Sequence, residues 1–493
     1  MISRKTAERI IKNTLSLLFS GIISQLIGFV GVIYLARVLG PADFGKINFA
    51  MAIITYFTLI ANLGLPLLGA REIAREKDKI RDYAGSIMSL RLCLAILGFG
   101  SLLLMAFFLN KPLEIKYLLI LYGLGLIPSA LLLDWAFQGI ERMEYIGLGR
   151  ILASGINLGL ILYFIKSSEQ LLLIPCFQVA GSLLTAVVLI SIFVRDFGRP
   201  RLKFDLISLQ NLLRQALPLG ISIIMIQIIY NIDTVMLGFM RSSEEVGYYN
   251  AAYKIIMVLI FVIGVYHDAI FPVISSYYKT SLDSLRKLLS VTQKLMVTMA
   301  VPLAIGGTIL AEPTMNSLYG VEYKNGIIAF QILIWAVLII YINTAYSRAL
   351  LACNKERWYI TGVAVPAIVN IISNFVLIPP LGLKGAAIAT VLAEASGFVV
   401  IYIGFRRIVR VAFSNHIFKP LLASIMMLIF LHWGLSGLNL NIFLLVGGGA
   451  LTYFAFLYLM IGTTKEEVRL VQSAVFSKQS RGKLKEKMKK RNK

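Results

Sequence analysis

The chain is built from long apolar runs separated by short polar interruptions. Read from one charged or Gly/Pro break to the next, the runs predict fourteen helices, at about 14–39, 44–70, 83–109, 116–138, 145–166, 170–195, 214–239, 247–277, 288–311, 325–353, 358–379, 382–405, 416–436 and 441–462. A helix needs about 20 apolar residues to cross a hydrocarbon core of roughly 30 Å. One run tests the pattern: 358–379 holds Pro366 and is closed by Pro379-Pro380. Proline is tolerated in a membrane helix when neighbours re-satisfy the freed carbonyl. The expectation is an all-α polytopic membrane protein with about fourteen transmembrane helices.

The interruptions are mostly basic. With the N-terminus placed in the cytoplasm, the inner segments include REIAREKDKIRD (71–82), RDFGRPRLKFD (195–205), FRRIVR (405–410) and the C-terminal tail. About 38 of the 48 Lys and Arg then fall inside and about eight outside, the asymmetry that orients membrane proteins. This predicts a multi-pass protein of the cytoplasmic membrane with both termini inside. The first apolar stretch, after the basic start MISRKTAERIIKN, is too long for a cleaved signal and reads as a retained span.

Composition agrees: 58% of residues are hydrophobic, 15% are charged, and the mean hydropathy is +0.80. A soluble domain carries roughly a quarter charged residues. The net charge of +23 would point to nucleic acid in a soluble protein; spread over short loops, it predicts no nucleic-acid partner. Cys93, Cys176 and Cys353 lie far apart in apolar spans, without metal-site spacing or a disulfide framework. Neither a metal nor another cofactor is expected. The loops are too short to fold into a soluble domain, which argues against an enzyme. The tail ends KLKEKMKKRNK after the amphipathic EEVRLVQSAVF, and reads as a solvated or anionic-lipid-touching segment.

Two stretches look alike at a spacing of a little over two hundred residues. YLARVLGPADFGKINFAMAI (34–53) resembles VMLGFMRSSEEVGYYNAAYKI (235–255), each with a span end, a short acidic turn, Gly45 or Gly247, and a helix of small and aromatic residues. Later, 137–162 resembles 351–378, each with an asparagine in mid-span, Asn157 and Asn370. Six spans per half is an even number, so both halves enter the membrane the same way round, related by a pseudo-two-fold along the membrane normal. The expected organisation is a six-helix bundle at 1–196, a second at 197–410, two appended helices at 411–462, and a basic cytoplasmic tail at 463–493. A cleft between the two bundles would be the place for a substrate.

LARVLGPADFGKINFAMAI, NLGLPLLGAREIAR and NIDTVMLGFMRSSEEVGYYNAAYKI resemble the polysaccharide-transport branch of the multidrug/oligosaccharidyl-lipid/polysaccharide exporter superfamily. These are the O-antigen and exopolysaccharide flippases, and the resemblance covers nearly the whole chain. It implies that an undecaprenyl-pyrophosphate-linked oligosaccharide is moved from the cytoplasmic to the outer leaflet for cell-surface polysaccharide synthesis. It also implies alternating access driven by an ion gradient, with glycosyltransferases or a polymerase as candidate partners beside the lipid-linked oligosaccharide and membrane lipids.

A charge at the bilayer centre costs about 2.5–3.5 kcal/mol on insertion scales, so each one needs a partner or a wet cavity. Arg37, Arg91, Lys254 and Arg348 stand against Asp134, Asp233, Asp268 and Glu394, a balance that leaves the sign of the substrate open. Arg37 and Arg348 lie near span ends, where long side chains snorkel; Asp134 and Asp268, the latter beside His267, also lie near ends. Glu394 lies closest to mid-membrane, and is a candidate for ion coupling or for a structural bond between helices. Asp233, in YNIDTVMLG, is the second coupling candidate, held by Lys254 across the outer turn or by hydroxyls on adjacent helices. Polar stripes run along the seventh span (Gln227, Asn231, Thr234) and the first (Ser16, Ser20, Ser24, with Gln25 alongside). They either line the cleft or pack helix against helix. For a pyrophosphate-sugar substrate, Arg91 and Lys254 would bind phosphate, and Gln25, Asn157, Gln227, Asn231 and Asn370 would bind sugar hydroxyls. Tyr56, Tyr249, Tyr253 and Trp335 are candidates for stacking on sugar faces or for interfacial anchoring.

Two other readings compete. A multidrug or cation exporter of the same superfamily would use the carboxylates Asp233 and Glu394 for a cationic drug and a proton. A membrane-embedded polysaccharide polymerase or ligase would be expected to carry a sizeable outer loop with catalytic Arg or His, whereas the outer loops here are short and nearly uncharged.

Overall fold

The computed structural model describes residues 4–202, 204–408, 417–436 and 441–461, and the regular structure among them is helical throughout. In chain order the α-helices are α1 (Arg4–Asn62), α2 (Leu65–Arg75), α3 (Ile80–Phe108), α4 (Leu113–Gly123), α5 (Leu126–Leu131), α6 (Asp134–Gly139), α7 (Met143–Phe164), α8 (Leu173–Phe197), α9 (Leu206–Met240), α10 (Ser243–Thr280), α11 (Leu282–Ile309), α12 (Ala311–Tyr319), α13 (Ile327–Ala352), α14 (Glu356–Leu381), α15 (Leu383–Arg406), α16 (Phe418–Ser436) and α17 (Ile442–Ile461).

Thirteen stretches among the described residues are long and apolar enough to cross a membrane. The first, Ser16–Arg75, has 60 residues and holds two crossings, because α1 is bent at Gly40. Gly40 takes φ 72° and ψ 173°, a region only glycine enters freely, and Pro41 opens the second arm with its φ already helical. Each of the fourteen expected spans therefore has a helical counterpart among the described residues. Pro366 lies within α14 without breaking it.

Two spans expected to be continuous are broken. The second turns at Leu63 (φ 40°) and Gly64 (φ 78°), between α1 and α2. The fourth, expected at 116–138, is divided into α4, α5 and α6. Both breaks occur where glycine and proline punctuate the run, in NLGLP and in GLGLIPS.

The helices assemble into two compact units. Unit 1 comprises Met1–Lys254, Leu318–Gly326 and Asn374–Ala386. Its core gathers Leu65, Leu68, Ile73, Ile87, Trp135, Phe137 and Phe193 from α2, α3, α6 and α8. Within it the two repeat stretches meet. A Cβ on Gly45 would lie 1.7 Å from the Ser243 carbonyl oxygen, and one on Gly247 would lie 1.9 Å from that of Pro41. Position 45 thus packs on 243 and position 247 on 41, each glycine four residues after the residue its counterpart touches. That reciprocity is what a local two-fold produces.

Unit 2 comprises Ile255–Ser317, Ile327–Ser373 and Ala387–Lys493. Ile270, Ile274, Leu289, Val297, Tyr346 and Phe405 pack together from α10, α11, α13 and α15. The hairpin α16–α17 lies on α11, with Met427 and Leu431 beside Gly306 and the Tyr453 hydroxyl donating to the Thr298 carbonyl at 2.7 Å. Phe107, Phe443, Leu451 and Leu459 are exposed, the arrangement expected when the surrounding solvent is lipid. The basic tail and the side chain of Asp268 lie outside the described residues.

Candidate functional site

The seventh span, α9, carries Asp233 into unit 1, where it is 2% exposed. Its two carboxylate oxygens have separate partners. The Tyr249 hydroxyl donates to Oδ2 at 2.7 Å, and Asn374 Nδ2 donates to Oδ1 at 2.5 Å. The neighbouring Thr234 donates to Asn250 Oδ1 at 3.2 Å, and Asn250 in turn donates to the Val246 carbonyl, pinning α9 to α10. Tyr249 and Tyr253 stack one turn apart, with centroids 5.7 Å apart and planes at 16°.

The hydroxyl partner has therefore been taken in place of Lys254. Lys254 follows Tyr249 by five residues, about 140° round a helix of 3.6 residues per turn, so the two side chains leave α10 in different directions. Lys254 is half-buried and makes no ion pair among the described residues.

Asn374 was not singled out by the sequence, although Asn370 was. The two are one turn apart on one face of α14, and both are fully buried. Their spacing in VNIISNF, two amides at i and i+4 in an apolar run, is the signal that could have paired them. A buried carboxylate held by neutral donors, with carboxamide oxygen nearby, can exchange a proton or take a small cation.

Arg91, on α3, is 3% exposed and fully engaged in unit 1. Nε donates to Asn62 Oδ1 at 2.9 Å, Nη1 to the Leu132 carbonyl at 2.8 Å, and Nη2 to the Ser129 carbonyl at 2.5 Å. Asn62 closes α1 at the first break, and Ser129 and Leu132 sit at the end of α5, at the second. A helix that stops within a membrane leaves carbonyls without partners and without water. The guanidinium supplies the donors, so its geometry is that of a clamp across both breaks.

The other expected residues are dispersed. Gln25 is half-buried on α1. Of the serine stripe beside it, Ser20 packs on Gly147 of α7, whose Cβ would meet Ser20 Oγ at 3.0 Å and Ser16 Oγ at 3.5 Å. These two serines pack helix against helix. Asn157, on α7, keeps its Oδ1 buried without a partner among the described residues, as does Ser24 Oγ on α1. Gln227 and Asn231 bond to each other within α9, Nδ2 to Oε1 at 3.0 Å. Glu394 is half-buried on α15, in unit 2. Arg37 donates to the Leu318 carbonyl at 2.8 Å.

Similarity to known proteins places the chain in a family. The model of a family described as polysaccharide biosynthesis protein matches residues 10–278. A protein of Escherichia coli strain K12 named for O-antigen transport is 22% identical over 371 residues, 73% of this chain and 88% of that protein. A Haloferax volcanii protein named "Probable flippase AglR" is 25% identical over 252 residues, 49% of this chain and 52% of that one. Among solved structures, the lipid II flippase MurJ in an inward closed conformation superposes with a TM-score of 0.71, covering 91% of this chain and 98% of its own at 16% identity. An inward-facing multidrug resistance MATE family transporter of the MOP superfamily gives 0.63, covering 78% and 94% at 16% identity. At that identity the two structures share the fold.

Proposed function

Because the chain belongs to the polysaccharide biosynthesis protein family, whose model covers more than half of it, we propose that it is a flippase for a lipid-linked oligosaccharide. The substrate is an undecaprenyl-pyrophosphate-linked glycan, carried from the cytoplasmic to the outer leaflet of the cell membrane by ion-coupled alternating access. Both termini face the cytoplasm, and the bundles at 1–196 and 197–410 are the moving parts. The reciprocal Gly45 and Gly247 contacts support that two-fold plan. Glycosyltransferases or a polymerase supply and consume the lipid-linked glycan.

The observation that carries this reading is Lys254. An ammonium at membrane depth is costly unless it is paired, and this one has no carboxylate partner among the described residues. A pyrophosphate supplies the missing charge. Gln25, Asn157, Gln227, Asn231 and Asn370 are the proposed sugar contacts. Asp233 and Glu394 are the proposed coupling carboxylates.

Reconstitution into liposomes with a fluorescent undecaprenyl-pyrophosphate oligosaccharide, with and without an imposed proton or sodium gradient, tests the proposal. Gradient-stimulated exposure of the label in the opposite leaflet is expected. A second reading, a cation exporter, is favoured by the buried Asp233 carboxylate. Gradient-driven efflux of a cationic dye, with no flipping of several such lipids, would replace the flippase by that exporter.

A further inference from the structure

Two short pieces of unit 1 come from helices that otherwise belong to unit 2. Leu318–Gly326 covers the turn from α12 to α13, and Asn374–Ala386 covers the turn from α14 to α15, while the helices on either side fall in unit 2. The fastenings of the first piece are few. Tyr323 is 0% exposed, and its hydroxyl donates to the Ala36 carbonyl at 2.8 Å. In the opposite direction, Arg37 Nε donates to the Leu318 carbonyl at 2.8 Å. Ala36 lies in the last turn of the first arm of α1, and Leu318 in the last turn of α12, where helix carbonyls run out of intrahelical donors. The two helix ends therefore exchange caps.

The second piece is held by α10. Glu245 Oε2 accepts at 2.9 Å from the amide of Leu383, the first residue of α15. The helix itself has no use for that donor, and a carboxylate suits the positive end of its dipole. Arg241 Nε lies 3.3 Å from the other oxygen, Oε1, and steadies the carboxylate. Gly382, between α14 and α15, takes φ 57°, and a Cβ there would lie 2.0 Å from Glu245 Oε2, so the turn is shaped to admit the carboxylate. The same piece begins at Asn374, which is tied to Asp233.

Both pieces rest on one crossing. The Tyr323 ring stands edge-on to Phe44 and to Tyr248, with centroids 6.3 and 6.1 Å away. Those two residues are the chain neighbours of Gly45 and Gly247, whose reciprocal contacts join α1 to α10. Tyr248 and Glu245 are three residues apart on α10, neighbours on its surface. The crossing is backbone against backbone and has no room to slide, whereas the two pieces are held by side chains that let go and rebind without disturbing it. We propose that Leu318–Gly326 and Asn374–Ala386 form a single clasp, fastened to the α1–α10 crossing by Tyr323 and Glu245 and released as one when that end of the transporter opens. The clasp rests on the alternating-access reading above, in which the turns at Gly40, 241–242, Gly320 and Gly382 share the outer ends of their spans. Release is joint because Tyr323 and Glu245 meet the same first turns of α10: when the Tyr323 ring withdraws from Tyr248, the support under Glu245 loosens with it.

Hydrogen–deuterium exchange of the purified full chain, read by mass spectrometry, tests the clasp. Tyr323→Phe removes one hydroxyl and keeps the ring; Glu245→Ala removes the cap on α15. Each variant should speed exchange in the piece it does not touch, Tyr323→Phe at residues 382–386 and Glu245→Ala at residues 320–326, by about two- to tenfold, the worth of one hydrogen bond in a local opening. Exchange in α16 and α17, which pack on α11, should stay at the parent rate and so excludes general loosening. Acceleration confined to the mutated piece, or absent from both variants, overturns the clasp. The readout needs no transported substrate, so its failure leaves the flippase reading standing. Coupled exchange in a protein that flips no lipid-linked glycan would keep the clasp and change only the cargo.

Discussion

Replacing Arg91 separates a clamp from a phosphate ligand. The guanidinium makes three charge-assisted bonds, each contributing about 1.5–3 kcal/mol, or roughly 5–9 kcal/mol together. Against this stands the several kcal/mol cost of holding a charge out of water, which Arg91→Met removes. Two acceptors keep something: Leu132 O still accepts from Trp135 Nε1 at 3.1 Å, and Ser129 O from the Leu132 amide at 3.3 Å. The expected net loss is about 2–4 kcal/mol, seen as a fall of a few degrees in the unfolding midpoint of the purified protein. The lysine variant is the sharper test. Its single ammonium keeps the cost of the buried charge but cannot reach Asn62 and the α5 carbonyls together, so Arg91→Lys should be at least as unstable as Arg91→Met. A phosphate ligand would rank them in the opposite order for transport and leave both folded. If Arg91→Met unfolds at the wild-type temperature and Arg91→Lys transports normally, the clamp is wrong.

Lys254→Met should fold as well as the parent, since it removes a charge that has no ion-pair partner among the described residues, yet lose about ten- to a hundredfold in flipping, the worth of one charge-assisted bond to phosphate; undiminished flipping in liposomes would remove Lys254 from the substrate. Asp233→Asn keeps a hydrogen-bonding side chain of the same shape and should leave downhill flipping while abolishing its response to an ion gradient. An unaltered gradient response would return Asp233 to a structural role, and Glu394→Gln measured beside it tells which carboxylate couples. Gly45→Ala and Gly247→Ala each drive a methyl group into backbone oxygen, which cannot move aside as a side chain can. Each should cost more than about 3 kcal/mol and reduce the monodisperse peak in size-exclusion chromatography, and a normal peak for both would contradict the close approach.

The spans were legible because lipid and helix period act on every residue of a run. Their interruptions were not, because the apolar character is the same on both sides of a break; only NLGLP and GLGLIPS mark where the second and fourth spans turn. Asp233 could be picked out as a charge in an apolar run, but its partner Asn374 lies 141 residues away, beyond what spacing can reveal. Arg91 carried the same signal as a ligand would, one cation within a span, and only its three acceptors show what holds it. A polar stripe such as Ser16, Ser20 and Ser24 is equally ambiguous. In a membrane, small hydroxyl residues serve close packing as well as they serve a wet wall, and Gly147 decides for the first two.

The reciprocal fit of Gly45 and Gly247 bears on how the two repeats can change over generations. Wherever a repeat touches only its own neighbours, its copy elsewhere in the chain is free to drift, and the flanking turns LGPADFG and RSSEEVG already share little beyond the final glycine. At 45 and 247 the freedom ends. Each lacks a side chain because the other hairpin's backbone occupies that space, so enlarging either one forces both hairpins to part. Divergence between the halves is therefore uneven by construction, looser where a repeat touches only its own neighbours and locked at 45 and 247, where each copy is the other's environment.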